Sequence, residues 1–140
     1  MTLGNETLLA LVHIHLEKAE EAYLSAVFLS ESRRDYNGAV NRVYYAMFHA
    51  EKALLHTRGI SGGSHKQVHT QLSNQFVKEG KLPVDTGRNI RLVENIRYIG
   101  DYSEQKSATK EEVEKALTET KNFMELAKKI LRDFEKGQTI

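Results

Sequence analysis

The side chains best suited to meet a ligand or partner are an arginine set among apolar residues and a polar line along one helix. Arg42, Tyr45, His49, Lys52 and His56 recur at steps of three and four, which lines up a guanidinium, a phenol and two imidazoles on one side of a helix. Ala39, Val43, Met47, Ala50 and Leu54 repeat the same spacing as an apolar stripe. A face made only for solubility alternates Lys and Glu, whereas this one carries directed donors and acceptors. Two readings of it stay open: a face turned to a ligand or partner, or a wet face with a phenol whose ring rests on the core.

Arg97 is the second candidate. Ile90, Val93, Arg97 and Gly100 share one helix face, and a guanidinium on an apolar stripe must be paired or stand at the mouth of a cleft. Asp101, one turn on, is placed to hold it, and Tyr102 follows. His65 and His69 are four apart, the spacing of two metal-binding imidazoles. No carboxylate accompanies them at ligand spacing and the chain has no Cys, so no metal and no cofactor is expected. His65 reads instead as a first-turn residue after the Ser64 cap, hydrogen-bonding across a cleft.

Arg58, Ser64, His65 and Lys66 surround a helix N-terminus after the glycine loop GISGGS, where backbone N–H groups favour an anion; a plain linker is the alternative. The loop lacks the Lys-Ser or Lys-Thr pair of a P-loop. Tyr44 and Phe48 flank the apolar stripe and read as core, which leaves Tyr45 as the exposed aromatic.

Several elements must position these residues. The 140 residues suit one domain, spanning 1–140 with a core from about 6 to 135. With 20 basic and 19 acidic residues the net charge is +1, so no global field points to nucleic acid or membrane. The absence of Cys, of a signal peptide and of an apolar run long enough to span a bilayer leads to a soluble cytoplasmic protein with no membrane contact. A first helix runs from an Asn5 cap to about Glu31. The polar-striped helix is capped by Asp35 or Asn37 and stops at Gly59. Ser64 with Gln67 opens a short helix to Gly80, and Asp85 or Thr86 caps a fourth to about Tyr98. Thr109 with Glu112 opens a last helix that ends before Gly137. The fold expected is all-α, an up-and-down antiparallel bundle of four to five helices with the first and last side by side.

Taken together, AVNRVYYAMFHAEKALL, the glycine loop with SHKQVH, FVKEGKLP and RYIGDY resemble the HEPN domain of prokaryotes, from about Leu16 to Leu131. The resemblance implies a helical bundle that commonly forms a homodimer with a cleft between subunits. Many such domains act beside a minimal nucleotidyltransferase as a toxin and antitoxin pair. Others are metal-independent ribonucleases with an Arg and a His separated by four to six residues. There the guanidinium would stabilise developing phosphorane charge while the imidazole moves a proton.

Counting from Arg97, the positions for that His hold Tyr102, Ser103 and Glu104. Arg42 with His49 and Arg58 with His65 match the spacing formally, but the former pair stands about 10 Å apart along one helix and the latter spans a glycine loop. The leading expectation is therefore a module that binds nucleotide or RNA phosphate, or a nucleotidyltransferase partner, through a cleft lined by Arg42, Tyr45, His49, Arg97, Asp101 and Tyr102. The alternative is an active ribonuclease toxin in which His49 or His65 supplies the imidazole, so whether the chain is an enzyme stays open. A third reading makes the polar stripe a dimer interface with Arg97 and Asp101 as a buried ion pair.

Overall fold

The computed structural model describes residues 4–137, and over these the chain is a bundle of five α-helices. Helix α1 spans Asn5–Glu31, α2 Tyr36–His56, α3 His65–Leu72, α4 Thr86–Tyr102 and α5 Lys110–Glu135, with a π-helical turn, Ser73–Val77, prolonging α3.

Most boundaries have a local cause, although Asp85, the residue before α4, makes no side-chain capping bond. The α1 cap is Gly4 rather than Asn5, because the Leu8 N–H already bonds the Gly4 carbonyl and draws Asn5 into the first turn. Asp35 caps α2, its Oδ1 accepting from the Gly38 N–H at 2.9 Å. After α2 the chain turns at Gly59, whose φ of +72° is the left-handed conformation that favours glycine. Both expected capping boxes form, Ser64 with Gln67 and Thr109 with Glu112.

Helix α4 runs one turn past the expected end near Tyr98. Asp101 stays helical because its carboxylate binds Arg97 one turn back and Asn41 on α2. These contacts override the weak helical preference of the sequence there.

Helix α2 is the centre of the bundle. Ala39, Val43, Met47, Ala50 and Leu54 are all buried, as the apolar stripe requires, and so are Val40, Tyr44, Ala46, Ala53 and Leu55. It packs on α1, α4 and α5. Helices α1 and α5 also touch and run antiparallel, since His13 meets Glu135, Glu20 meets Lys128, and the Tyr23 hydroxyl reaches the Leu117 carbonyl. The long helices α1, α2, α4 and α5 alternate in direction along the chain, which makes this the up-and-down bundle expected. Where α4 crosses α2, Gly100 faces Val40 and the backbone of Asn37 so closely that a Cβ would lie 2.6 Å from Val40 Cγ2. Among the described residues no helix is long and apolar enough to cross a membrane.

Candidate functional site

Close approach of α2 and α4 brings Arg97 onto the tyrosines of α2. Its Nε donates to Asp101 Oδ2 at 2.8 Å, and Asn41 Nδ2 donates to the same oxygen at 3.0 Å. The guanidinium carbon lies 4.8 Å from the ring centre of Tyr44, 5.6 Å from Tyr45 and 5.5 Å from Tyr102. A cation on an apolar stripe thus has both an anion and π faces to offset its desolvation. The Arg97 and Asp101 side chains remain 15% and 20% exposed, so the pair sits at an edge of the core. Because Asp101 takes Nε, and Nη2 reaches only the Tyr102 hydroxyl at 3.5 Å, the outer fork of the guanidinium keeps donors for a second anion.

Beneath Arg97 lies a network of groups from three helices. The Tyr44 hydroxyl is 2.9 Å from His65 Nδ1, 3.1 Å from His69 Nε2 and 3.5 Å from Glu94 Oε2. His69 Nδ1 donates to Glu51 Oε1 at 2.7 Å, and its Nε2 is 3.1 Å from Glu94 Oε2. Glu51 is 0% exposed, and its other oxygen has no hydrogen-bond partner among the described residues.

Burial pushes the Glu51 carboxyl and the Tyr44 phenol up from their ordinary values. His69 is also desolvated, but its hydrogen bond to Glu51 and the charges of Glu51 and Glu94 outweigh burial and raise it. His65 is lowered, by burial first and then by Arg97 and His69. The network can therefore redirect a proton. With His69 neutral, the Tyr44 hydroxyl donates to His69 Nε2; with His69 protonated, Nε2 donates to Glu94 and Tyr44 is free to donate to His65.

The polar stripe of α2 divides at Tyr45. Arg42 stacks on the Tyr45 ring at 5.4 Å, whereas His49 and His56 turn towards α1 and sandwich His15. Ring centres are 5.3 and 5.0 Å apart, and the Nδ1 atoms of His15 and His49 lie 3.1 Å apart. Arg42 and His49 line a cavity with Lys18 and Glu21 of α1. Tyr45, Arg97, Asp101 and Tyr102 come together as the sequence suggests; His65 joins them from α3, and His49 belongs to the α1 side.

Burial, the neighbouring His56, Lys52 and His49 lower His15 from 6.5 to about 4, and burial with Lys18, Lys52 and Arg42 lowers His49 from 6.5 to about 4. Between these values the unfolded chain binds the extra protons, so the cluster's contribution to stability is whole above pH 6.5 and is lost as pH falls towards 4. Urea titrations across this range should give a shallower pH slope for His15→Leu than for the wild type. An unchanged slope would remove the cluster as its source.

Among the described residues no group of three or more His, Asp or Glu is arranged to hold a metal ion. The pattern of the HEPN domain matches residues 12–131 of this chain. The chain belongs to the HEPN domain family. Relatives of this HEPN chain include "Putative toxin MJ0605" of Methanocaldococcus jannaschii, 37% identical over 118 residues that cover 84% of this chain and 87% of the relative. "UPF0332 protein" of Thermotoga maritima is 30% identical, with 86% and 90% covered. "Putative toxin MJ0142", also of M. jannaschii, is 34% identical, with 83% and 78% covered.

Within this HEPN domain, sequence reasoning missed three participants: Glu51, Glu94 and the hydroxyl of Tyr44. Glu51 does carry a signal, since it follows the apolar stripe position Ala50 and precedes the core residues Ala53 and Leu54, where a carboxylate needs a partner.

Proposed function

We propose that this HEPN chain is the toxin-like member of a toxin and antitoxin pair, a single module that binds nucleotide or RNA phosphate at Arg97 and is held by a minimal nucleotidyltransferase. The observation that carries the reading is the Arg97 guanidinium, clamped by Asp101 through Nε and laid on three tyrosine rings, with only a 3.5 Å contact from Nη2 to the Tyr102 hydroxyl on its outer fork among the described residues. A planar fork held this way is preorganised for a phosphate oxygen pair. The toxin names of the two M. jannaschii relatives support the same class. A cytoplasmic homodimer, with Tyr45 and Tyr102 lining the cleft between subunits, is part of this reading.

A second reading is favoured by His65. It and Arg97 pack against the same two rings, with His65 5.4 Å from Tyr44 and 5.8 Å from Tyr45. When the Tyr44 hydroxyl donates to His69, it accepts from His65 Nδ1–H; this tautomer leaves the His65 Nε2 lone pair for a ribose hydroxyl, and the depressed basicity of His65 keeps it neutral and able to accept a proton. In that case the bound RNA is cut without metal, Arg97 stabilising the phosphorane.

Both readings are tested by one set of proteins. Labelled single-stranded RNA, in the presence of a chelator, should bind the wild type and lose about tenfold or more in affinity with Arg97→Ala, the weight of a charge-assisted pair. Equal binding by Arg97→Ala sinks the assignment. Cleavage by the wild type that disappears in both Arg97→Ala and His65→Ala selects the ribonuclease; binding without cleavage selects the module.

A further inference from the structure

A trough of about 610 Å³ runs between α4 and the wall formed by α3 and its π turn. Lys66 and Lys78, twelve residues apart on α3 and its extension, both line it, and Arg91 lines it from α4. The ion pairs nearby run elsewhere, Arg58 to Glu79 and His69 to Glu94, and among the described residues Lys66, Lys78 and Arg91 make none. One carboxylate, Glu94, lines the trough, and its Oε2 already faces His69 and Tyr44. The walls therefore carry a surplus of positive charge, with Thr70, Ser73 and Asn74 between the lysines as neutral hydrogen-bonding groups.

The π turn is what puts the two lysines on one wall. Twelve residues at about 100° each would leave Lys78 about a third of a turn away from Lys66 on an unbroken α-helix. The Lys78 N–H bonds instead to the Ser73 carbonyl, five residues back, at 3.0 Å. This wider turn winds less per residue and returns Lys78 towards the Lys66 face. Along the axis the two charges are then separated by up to about 18 Å. Cations strung out over that length match a row of phosphates better than a single one. Ile90 and the aliphatic stems of the basic residues offer apolar surface for sugars or bases.

From this arrangement we propose that the trough is a binding site for the backbone of single-stranded RNA, taking phosphates beyond the one held at Arg97. The inference rests on the RNA reading of the Arg97 site. His69 and Glu94 tie the two together, since both line the trough and both touch the Tyr44 hydroxyl, whose ring carries Arg97. The trough and the Arg97 site thus meet at one hydrogen-bonded network around Tyr44. A strand crossing it would be read electrostatically, without base selection.

The test is the salt dependence of binding of a labelled oligouridylate. The triple variant Lys66→Ala, Lys78→Ala, Arg91→Ala changes exposed side chains only and should fold normally. It should bind about tenfold or more weakly at low salt, and its slope of log K against log salt should fall by about two, at roughly 0.7 for each phosphate that no longer meets a cation. A control triple on α5 and its C-cap, Lys115→Ala, Lys129→Ala, Lys136→Ala, removes the same charge elsewhere and should keep the slope.

An unchanged slope in the trough variant, while Arg97→Ala loses binding, overturns the trough and leaves the Arg97 reading standing. An equal loss in the control triple also overturns it, by making the effect one of net charge. A labelled mononucleotide that depends on the three trough residues as strongly as the strand does overturns the assignment to a strand. Failure of the wild type to bind RNA at all overturns the Arg97 reading together with it.

Discussion

Removing the His69 side chain should destabilise the bundle by about 3–5 kcal/mol, the effect of leaving one partner of a buried ionic pair alone. His69 is the one hydrogen-bond partner of Glu51 among the described residues, at 2.7 Å, and Glu51 is wholly buried with its second oxygen already bare. In His69→Ala the carboxylate must either stay charged without compensation or take up a proton. Protonation is the cheaper route, and its sign is testable. Burial already raises Glu51 above its ordinary value, so the folded variant binds a proton that the unfolded chain has released, and its stability should fall as pH rises.

Urea unfolding of His69→Ala beside His13→Ala, a surface histidine, measures the difference, since surface changes stay within about 0.5 kcal/mol. The double variant Glu51→Leu, His69→Leu should recover most of the loss, because two apolar groups replace a pair that must otherwise be held in register. If His69→Ala unfolds at the same urea concentration as His13→Ala, the network contributes nothing and Glu51 is neutral in the folded protein.

Gly100→Leu should also unfold early, and for a reason opposite to its helix propensity. Leucine in place of glycine inside α4 favours the helix by about 1 kcal/mol. A Cβ at this position, however, meets Val40 Cγ2 at 2.6 Å and the Asn37 Cα at 3.4 Å. Val40 is buried and branched, so it has little room to yield, and overpacking at the upper end of its range is about 3 kcal/mol. The net expectation is a loss of about 2 kcal/mol.

Function should suffer beyond that. Asp101 follows Gly100 and is held by Asn41, one turn from the same contact. Driving α4 away from α2 therefore strips Asn41 from Asp101 and the Tyr44 and Tyr45 rings from Arg97, although the Arg97–Asp101 pair itself lies within α4. RNA affinity measured well below the unfolding midpoint should fall towards that of Arg97→Ala, since the guanidinium loses its α2 supports. A variant that unfolds early yet binds as wild type would separate the helix crossing from the clamp.

How much of this was visible in the sequence depends on whether the deciding interaction is local. The caps Asp35, Ser64 and Thr109 were readable because a cap is a contact over three residues. Arg97 stood out because a charge on an apolar stripe is an inconsistency that the fold must resolve, and Asp101 lay one turn away. Glu51 was hidden because its partner is eighteen residues off on another helix. For the same reason the α2 stripe read as one face: nothing within α2 says that His49 and His56 meet His15 while Tyr45 meets Arg97. The π turn leaves no mark in a Val68, Leu72, Phe76 pattern that an ordinary helix would also give.

The turn between α1 and α2 sets the order in which the bundle can assemble. Only residues 32–35 separate two long helices, and the Asp35 N–H already bonds the Leu29 carbonyl across them. Closing so short a loop loses little chain entropy, so this pair can form on local contacts alone, near the fast end of the range set by topology. Its inner face, though, presents Glu51. The hairpin is a template that carries a charge on the surface it must bury, and that charge is neutralised only when α3 delivers His69. Docking of α3 is thus the step at which a loose pair of helices becomes a committed structure.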